Sequence, residues 1–286
     1  MSTKAPREEQ TGLELAYTHI SCSQDHDKSS NAAPAIIFLH GSESCALEFS
    51  RVAPFLKDAY EIFLVDLPAH SRSKHIVFSF DNAITGLARL ISTKIEDKQA
   101  HVVGLSMGGY VGLEFARRQP EMVRSLWCTG CAPFTGWRHW FMSRSLLLSG
   151  MISLIGRVAN EKMFWASFGK DVEPIPGLRE AVQENQNIAT LKPVFEELVR
   201  FTFDTLAQIK GPRIAIIAGG KGDSVDDTRE AGRVFRRQNP ECSAFLVRDA
   251  IHWWSLQKPE VFARGVRAWI EGSEMPKEFE PLLADA

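Results

Sequence analysis

The sequence predicts an α/β protein: a mostly parallel central sheet flanked by helices, with an inserted helical cap. Three observations carry this. Short apolar runs of strand length alternate with amphipathic stretches. One run, Ala35-Ile-Ile-Phe-Leu39, is continuously apolar, as a strand buried on both faces must be. From about 133 to 205 the alternation stops and the chain reads as helix throughout.

In chain order, residues 1–10 are polar and read as disordered. Leu13–Ser21 alternates enough for a strand, and 24–33 reads as a polar loop ending at Pro34. Helical spacing runs from Leu47 to Leu56, followed by a strand at Glu61–Val65. Phe80 to Ile95 reads as a helix and His101 to Val103 as a strand. A helix from Ser106 to Arg118 is stopped by Pro120, and Val123 to Cys128 reads as the next strand. The following segment holds Trp137, Trp140, Phe141, Trp165 and Phe168 and no strand signal. Alternation resumes with strand Arg213–Ala218, helix Val225–Gln238, strand Ser243–Val247 and helix Pro259–Ile270. The expected organisation is a core domain over 1–132 and 206–286, with a helical cap over 133–205.

Composition narrows the function classes. The chain has 286 residues, 44% hydrophobic and 24% charged, so it can bury a large core without disulfides or metals. Lys+Arg 33 against Asp+Glu 35 leaves a net charge of −2, which argues against a nucleic-acid-binding surface. The densest basic stretch, Arg229 to Arg237, reads as the solvated face of a helix. No apolar run reaches the ~18 residues of a bilayer span, and Leu146 to Ile155 is broken by Ser149, Gly150 and Ser153. The polar start M-S-T-K-A-P-R-E-E-Q has no signal-peptide character, so the expected location is the cytosol. Five scattered cysteines do not make a disulfide framework. Cys128-x-x-Cys131 lacks a second pair with zinc spacing and reads as structural. Neither Gly219–Gly222 nor Gly104–Gly109 has phosphate-cradle spacing, so no metal or cofactor is expected.

The chemistry concentrates at strand ends. Gly104-Leu-Ser-Met-Gly108 follows a strand and opens a helix, the context a nucleophile elbow requires. Ser106 is thereby the candidate nucleophile, at a helix N-terminus whose partial positive charge favours developing negative charge. A serine needs a base, itself oriented by an acid. Asp223 lies five residues beyond Ala218 in G-G-K-G-D, and His252 five beyond Val247 in D-A-I-H-W-W. Both fall at strand C-termini, on the edge where α/β sheets place their ligands. His40 precedes the serine, the wrong order for the base; His19, His26, His75 and His101 read as surface residues. Asp226 and Asp227 read as first-turn residues of a helix. Oxyanion donors are expected from the Met107 N–H and from Ser42, positioned by the turn at Gly41. Glu43 beside them reads as solvated.

These pieces together resemble an α/β-hydrolase-fold serine hydrolase of the AB hydrolase superfamily. The matching motifs are H-G-S at 40–42, V-D-L-P-A-H-S-R-S at 65–73, G-L-S-M-G-G at 104–109, G-K-G-D at 220–223 and His252 followed by Lys258-Pro-Glu-Val-Phe262. They span nearly the whole chain. The resemblance implies the triad and oxyanion roles above and a helical cap after Val123–Cys128. One departure is Ala69, where relatives carry a glycine in a D-x-P-G-H-G-x-S loop; Arg72 reads as replacing the second glycine.

The substrate is expected to be a hydrophobic small molecule carrying an ester, lactone or thioester. Hydrolysis of a carbon–carbon bond next to a ketone stays open, as does a biosynthetic helper or small-molecule receptor built on the same fold. Two readings of the cap aromatics are also open. Trp137, Trp140, Phe141 and Trp253 line a substrate pocket, or they form the cap's own core.

Overall fold

In the computed structural model the described residues are 13–23, 33–169 and 172–284. The first ten residues and most of the loop at 24–33 lie outside them. Among the described residues eight strands form one sheet: β1 (Tyr17–Ile20), β2 (Ala35–Leu39), β3 (Glu61–Val65), β4 (Ala100–Leu105), β5 (Val123–Thr129), β6 (Arg213–Gly219), β7 (Ser243–Val247) and β8 (Glu280–Pro281). Their order is β1-β3-β2-β4-β5-β6-β7-β8. Pairing is parallel from β3 through β7 and antiparallel only at the two edges. The helices are α1 (Phe80–Lys94), α2 (Met107–Arg118), α3 (Gly136–Met142), α4 (Ser145–Val158), α5 (Glu161–Ala166), α6 (Leu178–Asn185), α7 (Ile188–Leu198), α8 (Phe203–Leu206), α9 (Val225–Gln238), α10 (Trp254–Gln257) and α11 (Pro259–Glu271).

Why β2 is apolar at every position is visible in its neighbours. Ile37 and Leu39 pack beneath α1 and α2 with Ile84, Leu87 and Tyr110. Ile36 and Phe38 face the other way, against Phe49, Trp254 and Phe262. Alternation of side chains across the strand therefore feeds two hydrophobic layers, and no polar face remains. The sheet changes direction of winding at β2, which lies between β3 and β4. Such a reversal opens a crevice at the strand C-termini.

Some expectations need correction. Leu47 to Leu56 is not one helix but two single-turn 3₁₀ segments, Ala46–Phe49 and Ala53–Phe55. Pro54 removes a backbone donor there, and the chain turns to bury Phe49 and Val52 at the sheet. The short edge strand β8 carried no period-2 signal in so few residues. His101 is not a surface residue: it lies in β4, with Nδ1 2.8 Å from Ser125 Oγ. Burial, with Arg124 and Arg213 nearby, pushes its pKa down to about 4. In the 65–73 loop the second glycine position is held by Ser71 rather than Arg72. Ala69 (φ 66) and Ser71 (φ 43) keep the left-handed backbone that glycine takes without strain. Arg72 instead binds Asp66 Oδ2 through Nε at 2.5 Å.

Among the described residues six helices lie between β5 and β6; α3 to α7 fall inside the span 133–205, and α8 (Phe203–Leu206) runs one residue past it. Trp165 and Phe168 are buried, with Leu178 and Val182, against Leu256 of the core. Phe141 packs on Leu148, Leu191 and Phe195. Trp137 and Trp140 join neither cluster and are 74% and 58% exposed.

Candidate active site

The parallel register brings the functional loops to one edge. Leu39 pairs with Gly104, Leu105 with Thr129, and Gly219 with Val247. The loops that follow β2, β4, β5, β6 and β7 consequently leave the sheet together.

Ser106 stands between β4 and α2 with φ 53 and ψ −119, a conformation costly for a residue with a Cβ. Packing imposes it. A Cβ on Gly104 would lie 2.4 Å from the Gly108 carbonyl oxygen, and one on Gly108 would lie 2.0 Å from that of Leu39. Strand and helix can approach this closely only through glycine. The Ser106 N–H donates to Thr129 O at 2.8 Å and the Gly108 N–H to His40 O at 3.0 Å, which fixes the turn between β2 and β5.

Asp223 and His252 meet because their loops are stitched together. The Gly220 N–H donates to Val247 O at 3.0 Å and the Lys221 N–H to Ala250 O at 2.9 Å. Asp223 Oδ2 accepts the Gly219 N–H at 2.7 Å, which aims Oδ1 at His252 Nδ1, 2.5 Å away. Burial pulls the His252 pKa down, but the Asp223 charge and hydrogen bond outweigh it and hold the imidazole above its ordinary 6.5. Asp226 and Asp227 sit in the first turn of α9; Asp226 pairs with Arg229, and Asp227 accepts from Thr135 Oγ1 at 2.9 Å.

The loop after β2 lies alongside. A Cβ on Gly41 would be 3.7 Å from Ser106 Cβ, so Gly41 borders the serine directly. Two buried residues that sequence reasoning missed hold this loop. Glu48 accepts the Gly41 N–H at 3.0 Å and the Ser255 hydroxyl at 3.2 Å, tying the Gly41 turn to the helix just after His252. Burial raises its pKa. His70 Nε2 lies 2.6 Å from Ser42 O, pinning the residue whose N–H is the expected oxyanion donor. The only sequence signal for Glu48 was an acid inside an otherwise apolar stretch, A-L-E-F. His40 is fully buried and its Nε2 accepts the Leu67 N–H at 3.0 Å. Burial holds its pKa well down, so it stays neutral.

Two cavities flank His252. The larger, of about 490 Å³, is lined by Glu43, Ile155, Phe164, Phe168, Gln186 and Trp253 among others. Glu43 is only partly exposed rather than fully solvated: it faces this cavity, accepts from Gln186, and burial raises its pKa. The smaller, of about 230 Å³, is lined by Phe134, Trp137, Arg138, Phe141 and Asp223 among others. Trp140 lines neither; its ring lies 3.4 Å from the Arg144 guanidinium. Cys128 and Cys131 are buried, and burial raises the Cys131 thiol well above its ordinary value. No cluster of His, Cys, Asp and Glu suited to a metal occurs among the described residues.

The sequence profile of the α/β-hydrolase fold matches residues 34–192, more than half the chain. An AB hydrolase superfamily protein of Gibberella zeae is 28% identical over 250 residues, covering 86% of this chain and 83% of that protein. A 2-hydroxy-6-oxononadienedioate/2-hydroxy-6-oxononatrienedioate hydrolase of a Pseudomonas species is 33% identical over 119 residues, 40% of this chain and 42% of its own. Among solved structures, a thermophilic esterase from Thermogutta terrifontis superposes with a TM-score of 0.69 at 19% identity, covering 90% of this chain and 93% of its own.

Proposed function

The chain belongs to the α/β-hydrolase-fold family, and from that premise we propose a serine hydrolase that cleaves an ester, lactone or thioester of a hydrophobic small molecule. The observation that carries this reading is the Asp223–His252 pair together with the strained Ser106 turn, on loops that leave the same sheet edge, with His252 beside an apolar cavity. In the proposed mechanism His252 Nε2 takes the Ser106 hydroxyl proton as Oγ attacks the carbonyl carbon. The Nδ1–H donates to Asp223, which stabilises the imidazolium. The Met107 and Ser42 N–H groups would receive the oxyanion. His252 then protonates the leaving group, and a water activated by the same imidazole releases the acyl group from Ser106. Because the base acts only when neutral and its pKa is raised, kcat/KM should climb with pH through an inflection above 6.5. No bound metal or cofactor enters any step.

The larger cavity bears on the choice between ester and carbon–carbon cleavage. Its lining includes the acid Glu43 and no lysine or arginine. A dioate such as the Pseudomonas relative's name specifies would meet no countercharge there, so an uncharged substrate fits better. The test is labelling of Ser106 by a fluorophosphonate together with turnover of a p-nitrophenyl ester series. Labelling with turnover supports the reading; neither labelling nor turnover of any ester overturns it.

The two cap tryptophans separate in this scheme. Trp137→Ala should change relative kcat/KM among acyl-chain lengths by roughly 10-fold, since an apolar contact discriminates by about 1–3 kcal/mol. Trp140→Ala should leave selectivity unchanged. Both rings are exposed, so neither variant should show the ~3–5 kcal/mol loss of a core Trp→Ala change. A selectivity shift confined to Trp140→Ala in the chain-length series would reverse this assignment.

A further inference from the structure

Helix α4 is built inside out. Its buried positions are Ser145, Leu148, Ser149, Ser153 and Gly156. The Ser149 hydroxyl satisfies itself on Ser145 O at 2.6 Å, within the helix. Leu146, Leu147, Met151, Leu154, Ile155 and Val158 all face outward, with Leu154 62% and Val158 67% exposed. A helix whose outer face meets water carries the opposite pattern. On the flanking helices Trp137 and Trp140 of α3 and Met163 of α5 are also exposed, and Met163 shares a cavity lining with Ile155. So many large apolar side chains exposed on three consecutive helices mark an interaction surface rather than scattered exposure.

The charges around the patch say what covers it. From Gly136 to Met163 there are four cations, Arg138, Arg144, Arg157 and Lys162, against one acid, Glu161, in a chain whose net charge is −2. Arg144 and Arg138 lie 3.4 Å and 5.9 Å from the rings of Trp140 and Trp137. Indole rings beside guanidinium groups suit a boundary between an apolar layer and charged headgroups. A second copy would bring the same cations face to face across a two-fold axis, with Glu161 the one acid on these three helices and Glu196 and Asp227 reaching only Ser145 and Thr135 at their starts. No single helix among the described residues is long and apolar enough to cross a membrane, and α3 and α4 meet at 76°. Short helices bent this sharply suit lying along a surface better than crossing one.

We propose that the outer face of α3, α4 and α5 docks on an anionic lipid surface. Ile155 and Met163 belong both to this face and to the lining of the 490 Å³ cavity, so docking brings the cavity's rim to the lipid. The docking itself does not rest on the hydrolytic reading.

Flotation of the full chain with vesicles tests it, comparing phosphatidylcholine alone with equal parts phosphatidylcholine and phosphatidylglycerol. The wild type should float with the mixed vesicles and release at high salt. The combined Leu147→Gln, Leu154→Gln, Val158→Gln variant should lose binding by about tenfold or more while keeping wild-type turnover of a water-soluble ester; none of the three lines a cavity described above. Arg144→Gln with Arg157→Gln should weaken binding to the mixed vesicles about tenfold and leave the phosphatidylcholine result unchanged. Ser106→Ala should float like the wild type, which separates failure of docking from failure of the catalytic assignment. A wild type that stays unbound on both compositions overturns the proposal, as does a triple variant that floats undiminished. Sedimentation showing a dimer that the triple variant dissolves, with no flotation, gives the face to a second copy and also overturns it.

Discussion

Replacing Ser106 by alanine should leave a folded protein whose kcat on its best ester is lower by at least about 10³-fold. The change deletes one hydroxyl from a half-buried residue and keeps the Cβ. The strained φ of 53 is imposed by Gly104 and Gly108 packing around the turn, so alanine inherits the same backbone. Melting temperature should therefore stay within a few degrees of wild type, because surface-like truncations stay within about 0.5 kcal/mol. Fluorophosphonate labelling should vanish with activity. A variant that keeps near-wild-type kcat removes Ser106 from the mechanism, whatever its labelling.

The sheet was legible because its signals are local. A strand buried on both faces must be apolar at every position, and Ala35–Leu39 satisfies that rule in five consecutive residues. The glycines around Ser106 were readable for a similar reason: the close approach of β4 and α2 leaves no room for a side chain. Asp223 and His252 were placed by counting from strand ends, and the structure brings them to 2.5 Å through loop hydrogen bonds that hold their register. What sequence reasoning missed depends on long-range burial. Glu48 touches Gly41 and Ser255, the latter more than two hundred residues away, and its apolar neighbours in A-L-E-F are the one local mark that it is internal. Glu43 read as solvated because its cover, Gln186, comes from the inserted helices. The aromatic cluster of the insertion divided into buried Trp165 and exposed Trp137 and Trp140, since composition alone carries no direction. The inverted face of α4 was present in the sequence as an apolar run broken by serines, but which side faced inward needed the fold.

Changing Asp223 to asparagine should lower kcat by about 10⁴-fold, through the tautomer of His252 rather than through any loss of fold. The geometry dictates how. Asp223 accepts twice, from the Gly219 N–H at 2.7 Å and from His252 Nδ1 at 2.5 Å. Asparagine has one acceptor oxygen and one amide donor. The Gly219 N–H can only donate, so it claims the oxygen and turns the amide towards His252. Nδ1 must then accept, the ring proton moves to Nε2, and the nitrogen that should take the Ser106 proton is already occupied. The lost charge has a second effect with a defined sign. Asp223 is what holds the His252 pKa above 6.5 against burial, so its removal lowers that pKa. Residual kcat/KM should therefore reach its plateau at lower pH than in the wild type, while the plateau itself falls. Asp226→Asn and Asp227→Asn serve as controls, since these carboxylates sit in the first turn of α9 and bond Arg229 and Thr135 instead. Losing either helix-terminus charge costs about 0.3–1 kcal/mol of stability and should leave the pH inflection in place. Should Asp226→Asn or Asp227→Asn prove the crippling change, with Asp223→Asn near wild type across the pH range, the acid that orients His252 lies on α9 and not in the G-G-K-G-D loop.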